Sequence, residues 1–190
     1  MDFLDSIEWF SVILNLAFVL LLIKEKKIAW PFGILGSLLS VYLFIATQLY
    51  SEAILYLYYV FMGFYGWYVW SRAIEGILPI GRWNITKHLF AVLVAVIATG
   101  ALGYFFDTKT DAAMPYADAF STAFSFLATY MEAKKIISTW YFWIILNTFS
   151  VWLYWSRGLE VYALLMIVYA VLSVVGLLAW RKSLETQSAG

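Results

Sequence analysis

The sequence predicts an all-α membrane protein of seven transmembrane helices in a 3+1+3 arrangement, two three-helix repeats joined by a connector helix. Three observations predict it. Of 190 residues, 64% are hydrophobic and 13% charged, against about half and roughly a quarter in a soluble domain. No soluble fold of this length can bury that excess, so the chain belongs in lipid. The few charges also divide the sequence into apolar runs near the ~20 residues that a helix needs to cross hydrocarbon. Finally, the chain matches itself without gaps at an offset of 110 residues over its first three and last three runs.

The runs are Trp9–Ile23, Ile28–Ser51, Ala53–Ser71, His88–Phe106, Ala119–Met131, Ser138–Ser156 and Val161–Trp180. The first and fifth are short, so their helices are expected to take in Glu8 and Asp118, since an acid in a first turn suits the positive end of the helix dipole. The second opens on Trp30-Pro31-Phe32-Gly33, and the third is dense in tyrosine. The fourth, opened by His88, is the connector. Alternating strand patterns are missing, which argues against a β-barrel. The first ten residues hold Asp2, Asp5 and Glu8 where a signal peptide would hold lysines, so the first span is expected to be retained. A single transmembrane domain, 1–190, is expected, with repeat one over 8–72, the connector over 88–106 and repeat two over 117–182.

Orientation follows from the cations. Seven spans put Lys24, Lys26, Lys27, Arg72, Arg82, Lys87, Lys134, Lys135, Arg181 and Lys182 on one side, and only Lys109 and Arg157 on the other. Positive residues stay inside, so the N-terminus lies outside and the C-terminus in the cytoplasm.

The identical pairs of the internal match include Phe10/Phe120, Ser11/Ser121, Lys24/Lys134, Trp30/Trp140, Phe32/Phe142, Ser40/Ser150, Leu49/Leu159, Tyr59/Tyr169, Gly66/Gly176 and Trp70/Trp180. Leu and Ala matches mean little in an apolar chain, but paired Trp, Tyr, Gly and Lys residues at one offset do not arise from composition. The repeats begin at spans one and five, which enter from the same side, so they are parallel, related by an axis along the membrane normal. SWEET-like transporters are built this way, with substrate near the midplane between repeats that rock against each other.

Composition excludes several functions. Twelve Lys+Arg balance twelve Asp+Glu, leaving no basic field for nucleic acid. The absence of Cys removes disulfides, thiolate metal sites and thiol nucleophiles, and His88 is the single His. No metal or cofactor is expected. An enzyme is disfavoured because no carboxylate pair, His cluster or activated nucleophile lies within the spans. No G-x-x-x-x-G-K-[ST] loop for ATP occurs. Glu8, Glu52, Asp118 and Glu132 fall at span ends, so a coupling carboxylate is missing from mid-span. Substrate-driven, facilitated movement is expected, with coupling to sodium held by carbonyls the alternative.

Uncharged polar and aromatic residues within spans are then the candidates. Asn147 lies about 10 Å along its helix from Trp140, at 1.5 Å per residue, and Trp140, Trp143 and Asn147 share one face. Two readings stand: an interhelical hydrogen bond, or a ligand contact walled by two indoles. Asn15 and Ser125 occupy corresponding repeat positions and invite the same two readings. Span three carries Tyr56 and Tyr59 at depth, where each hydroxyl needs a partner or a wet cavity, while Trp67, Tyr68 and Trp70 suit an interface belt. Neutral aromatic walls favour a flat ring, an organic cation above all.

At these residues the chain resembles the PnuC family of bacterial vitamin transporters. The resemblance runs from Trp9 to Lys182 and rests on W-x-x-W-x-x-x-D/N at Trp140, Trp143 and Asn147, preceded by Lys134-Lys135. Further elements are Tyr59, Tyr65-Gly66-Trp67 and Trp70, and the Trp30-Pro31-Phe32-Gly33 opening. It implies the 3+1+3 SWEET-like fold and facilitated uptake of nicotinamide riboside across the bacterial inner membrane. Phosphorylation by a separate cytoplasmic kinase would trap the product, and the assembly implied is a homotrimer embedded in lipid. Two positions depart from the family: Tyr56 stands where many members have Gln, and Ser138 where an acid is usual. Thiamine and riboflavin therefore remain alternative vitamins, and a SWEET-like sugar carrier the alternative outside the family.

Overall fold

The structure, a computed structural model, describes residues 3–46, 50–72 and 78–189. Asp2 and residues 47–49, with the Leu49 member of its repeat pair, lie outside the described residues, and Tyr50 and Ser51, expected to end the second span, instead open the third helix. The described residues form seven helices: α1 (Phe3–Ile23), α2 (Ala29–Ala46), α3 (Tyr50–Ser71), α4 (Ile85–Lys109), α5 (Pro115–Ala133), α6 (Thr139–Ser156) and α7 (Glu160–Ala189). The shortest have 18 residues, about 27 Å at 1.5 Å per residue.

Each predicted run corresponds to one helix; α1, α3, α4, α5 and α7 extend past their runs where charges meet water, whereas α2, as described, ends at Ala46 rather than Ser51. α1 begins at Phe3, so Glu8 lies in its second turn rather than its first. Asp118 does fall in the first turn of α5, which opens on Pro115, a residue suited to a position whose N–H has no helical partner. The connector is longer than expected. Asn84 caps α4 by accepting the Lys87 N–H at 2.9 Å, which places Lys87 and His88 inside the helix. α7 continues beyond Trp180 through Arg181, Lys182 and Glu185.

On length and composition, α1, α2, α4 and α7 are the described helices apolar enough to cross a bilayer unaided. α3, α5 and α6 are diluted by tyrosine, serine, threonine and tryptophan, and they carry most of the candidate site residues.

The chain divides into two compact units. One holds α1–α3, with Ala133–Lys135 and the segment from Lys182 onwards; the other holds Ile80–Glu132 and Ile136–Arg181. In the first, α1 meets α2 through a polar seam: the Ser11 hydroxyl shares a 2.6 Å hydrogen bond with Ser40 and approaches the Gly36 carbonyl at 3.1 Å. Trp30 is enclosed against Gly66, where an added Cβ would overlap the indole, and meets Trp70 edge-on at 5.7 Å and 77°. The second unit makes the same tryptophan contacts 110 residues later. Trp140 is enclosed against Gly176 and meets Trp180 edge-on at 5.2 Å and 88°.

The hairpin loops correspond as well. Glu25 and Lys135 both adopt the left-handed region, with φ of 57° and 55°, uncommon for residues with a Cβ. Behind them, Lys26 N–H donates to Leu21 O at 3.0 Å and Ile136 N–H to Met131 O at 2.9 Å. These bonds close helix ends that would otherwise leave carbonyls unpaired. Within the first unit the two loop residues then meet directly: Lys135 Nζ and Glu25 Oε2 lie 2.8 Å apart.

Trp70 departs from expectation. It is buried rather than part of an interface belt, and its Nε1 donates to the Ala133 carbonyl at 3.2 Å. Trp67 and Tyr68 stay exposed, with Arg72 over the Tyr68 ring at 4.3 Å.

Candidate functional site

The predicted residues fall into both units. Asn15, Tyr56 and Tyr59 belong to the first; Ser125, Trp140, Trp143 and Asn147 belong to the second.

In the first unit, Asn15 is drawn into the α1–α2 seam. Its Nδ2 donates to Ser11 Oγ at 3.3 Å, and its side chain fills the space over Gly36. That is the helix-joining role polar residues commonly take in membranes. Tyr56 and Tyr59 are half-buried and form an aromatic chain with Phe44: Phe44 to Tyr56 is 5.2 Å, and Tyr56 to Tyr59 is 5.3 Å at 75°. Edge-to-face contacts of this kind hold the rings in fixed orientations.

In the second unit, Trp140 is 1% exposed and its Nε1 meets no acceptor. Trp30 at the corresponding position is in the same condition, so this indole is scaffold that seats α6 against α7. Asn147, 9% exposed, donates through Nδ2 to Ser173 Oγ at 3.1 Å, and the Ser173 hydroxyl donates in turn to the Tyr169 carbonyl at 2.8 Å. An amide offers two N–H donors and an accepting oxygen, and this bond commits one N–H. Asn147 therefore joins α6 to α7 through one of its two N–H groups.

α5 presents a buried polar stripe. Ser125, Thr129 and Glu132 are all buried at a spacing of four and three residues, which places them on one helix face. The Thr129 hydroxyl donates to the Ser125 carbonyl at 2.8 Å. Glu132 ends the stripe at 4% exposure, with its carboxyl beside the Trp143 indole. That approach falls short of hydrogen-bond geometry, so Trp143 Nε1 is enclosed without an acceptor. Reading the chain by uncharged runs assigned Glu132 to a span end and missed its burial.

A signal for it was present in the repeat. At the 110-residue offset, Glu132 corresponds to Leu22, Trp143 to Gly33, Asn147 to Ser37 and Ser173 to Gly63. Positions that agree between the units, such as the Trp–Gly–Trp clusters, build scaffold; those that differ concentrate polarity and an indole in the second. Even bulk is exchanged: Phe18 fills the space over Gly33, whereas their counterparts are Ala128 and Trp143.

Two polar contacts brace the second unit. Arg157 Nη2 donates to both oxygens of Asp118 at 2.9 Å. His88 Nε2 shares a 2.8 Å hydrogen bond with Ser138 Oγ, and its Nδ1 lies 3.0 Å from the Asn84 carbonyl. An open groove of about 570 Å³ between α6 and α7, walled by Val151, Trp152, Trp155 and Val171, includes none of the predicted residues. Its apolar, exposed walls suit lipid.

Known proteins match this chain, some of them over nearly its whole length. The family model described as nicotinamide mononucleotide transporter matches residues 5–182. The nicotinamide riboside transporter PnuC of Escherichia coli K12 is 25% identical over 207 residues, covering 95% of this chain and 87% of that protein. The riboflavin/roseoflavin transporter RibM of Streptomyces davaonensis is 22% identical over 121 residues, 61% of this chain and 57% of that one. A crystal structure of the vitamin B3 transporter PnuC superposes with a TM-score of 0.78 at 20% identity, covering 96% of this chain and 83% of the other, which shows a shared fold. The chain is a multi-pass membrane protein and belongs to the PnuC, or nicotinamide mononucleotide transporter, family.

Proposed function

We propose that this protein carries nicotinamide riboside into the cell by facilitated diffusion across the bacterial inner membrane. The observation that carries the reading is the buried cluster of the second unit. Trp143 and Asn147 share one face of α6, and Trp143 lies beside Glu132, the end of the buried α5 stripe, where the first unit has Gly33 and Ser37 at the α6 positions. An indole face suits a pyridinium ring, because its quadrupole attracts cations. The uncommitted amide groups of Asn147 suit a carboxamide or ribose. Ser125 is a further substrate residue of the second unit and Tyr56 and Tyr59 are those of the first, while Trp140 positions α6 and Asn15 holds α1 to α2.

The two three-helix sets act as parallel repeats with α4 as connector. The cation count sets the N-terminus outside and the C-terminus in the cytoplasm. A trimeric assembly and trapping of the product by a separate kinase complete the proposal, on the strength of the family. Similarity to RibM favours riboflavin as the second reading, with thiamine, another aromatic cation, beside it.

Purified protein in liposomes tests the proposal. Labelled nicotinamide riboside should equilibrate without an ion or ATP gradient, and Trp143→Ala or Asn147→Leu should abolish binding in a folded protein. Accumulation that requires an imposed ion gradient, or competition by hexoses but by no vitamin, would reject it.

A further inference from the structure

Glu132 is a buried acid of the second unit where the first has Leu22. Its counterpart Leu22 is fully enclosed, so packing at this position is satisfied by hydrocarbon. A carboxylate there gives up its hydration and needs a compensating partner. Among the described residues no cationic side chain pairs with it. Lys135, three positions on, is committed to Glu25, and Lys134 lies over the Tyr65 ring at 5.1 Å. The neighbour Glu132 does have is Trp143, and its helix face continues through Thr129 to Ser125.

From this juxtaposition we infer that Glu132 determines specificity: it is the counter-charge for an aromatic cation stacked on Trp143. The inference rests on the proposed role of Trp143 and names the substrate class, positively charged N-alkylated heterocycles. The indole face attracts the ring's charge, and the carboxylate reinforces it where few waters screen the field. A neutral ring of the same outline receives neither attraction. Discrimination thus arises from an attraction that only the charged ligand receives.

Paired ligands differing in charge test this on the full chain in detergent. Nicotinamide riboside is a cation, and its 1,4-dihydro form is neutral with the same substituents. Wild-type protein should prefer the cation by about tenfold or more. Glu132→Gln should weaken cation binding by roughly tenfold to a hundredfold while moving the dihydro form by no more than about twofold. Glu132→Leu, the side chain the equivalent position already accommodates, should give the same loss of preference. Equal weakening of both ligands, or no change in either, overturns the inference. If wild-type protein binds thiamine instead, the vitamin assignment falls while Glu132 is read from thiamine against neutral thiochrome. If it binds riboflavin and neither cation, both fall.

Discussion

Lys135 offers the sharpest energetic test of the fold. Its side chain is fully enclosed, and its ammonium sits 2.8 Å from Glu25 Oε2, bonds the Leu78 carbonyl and lies 5.0 Å from the Trp70 ring centre. Lys135→Met keeps the stem and removes the charge, leaving the Glu25 carboxylate and the Leu78 carbonyl without their partner. Breaking a buried pair from one side costs about 3–5 kcal/mol. Glu25 is 17% exposed and regains some water, which places the loss near the lower end, about 3 kcal/mol. For a chain of this size each kcal/mol lowers Tm by about 2–4 °C, so a drop of roughly 6–12 °C is expected. Thermal unfolding of the detergent-solubilised protein, followed by tryptophan fluorescence, measures it. Glu25→Gln added to Lys135→Met should recover part of the loss, since no lone carboxylate remains. A single variant melting within about 1 °C of wild type, or a double variant whose losses simply add, would show that the pair contributes nothing and refute the reasoning.

Other outcomes follow from the same geometry. Ser173→Ala removes the acceptor of Asn147 and should cost only about 0.6 kcal/mol, the usual worth of an interhelical bond in a membrane. Asn147→Leu should cost a similar amount of stability while losing substrate binding, so a titration of both variants separates joining from recognition. Gly176→Ala drives a Cβ into the rigid Trp140 indole and should destabilise by about 1–3 kcal/mol, with Gly66→Ala behaving alike against Trp30. Unfolding midpoints check both. Asp118→Asn breaks the two-oxygen bond to Arg157, whose partners are 24% and 29% exposed, and should cost about 1 kcal/mol or less, with the difference shrinking in high salt.

Much of the architecture was legible because charges are excluded from hydrocarbon. Where they are rare, their spacing alone marks the helices, and every predicted run became one. The ends were less legible, since interfacial water tolerates the charges that mark a run's limit: α7 passes Trp180 and continues to Ala189. Within the site, Trp143 and Asn147 were readable from their spacing, and Trp140 shares their face, but spacing could not separate an indole locked over Gly176 from one beside a carboxyl. Trp70 misled for a related reason. Aromatic residues near a helix end suit either lipid headgroups or a neighbouring loop, and here the Ala133 carbonyl claims the N–H.

The sequence by itself determined that the chain lives in a bilayer, that it has seven helices, and that residues 110 apart correspond, because hydropathy and repetition act along one dimension. Tertiary structure decided what each correspondence means. It set Glu25 and Lys135, equivalent in sequence, against each other as an ion pair, and it buried Glu132 where Leu22 lies in the other unit. Those outcomes depend on which side chains reach one another across helices, and on the water they lose in doing so, which no count along the chain records.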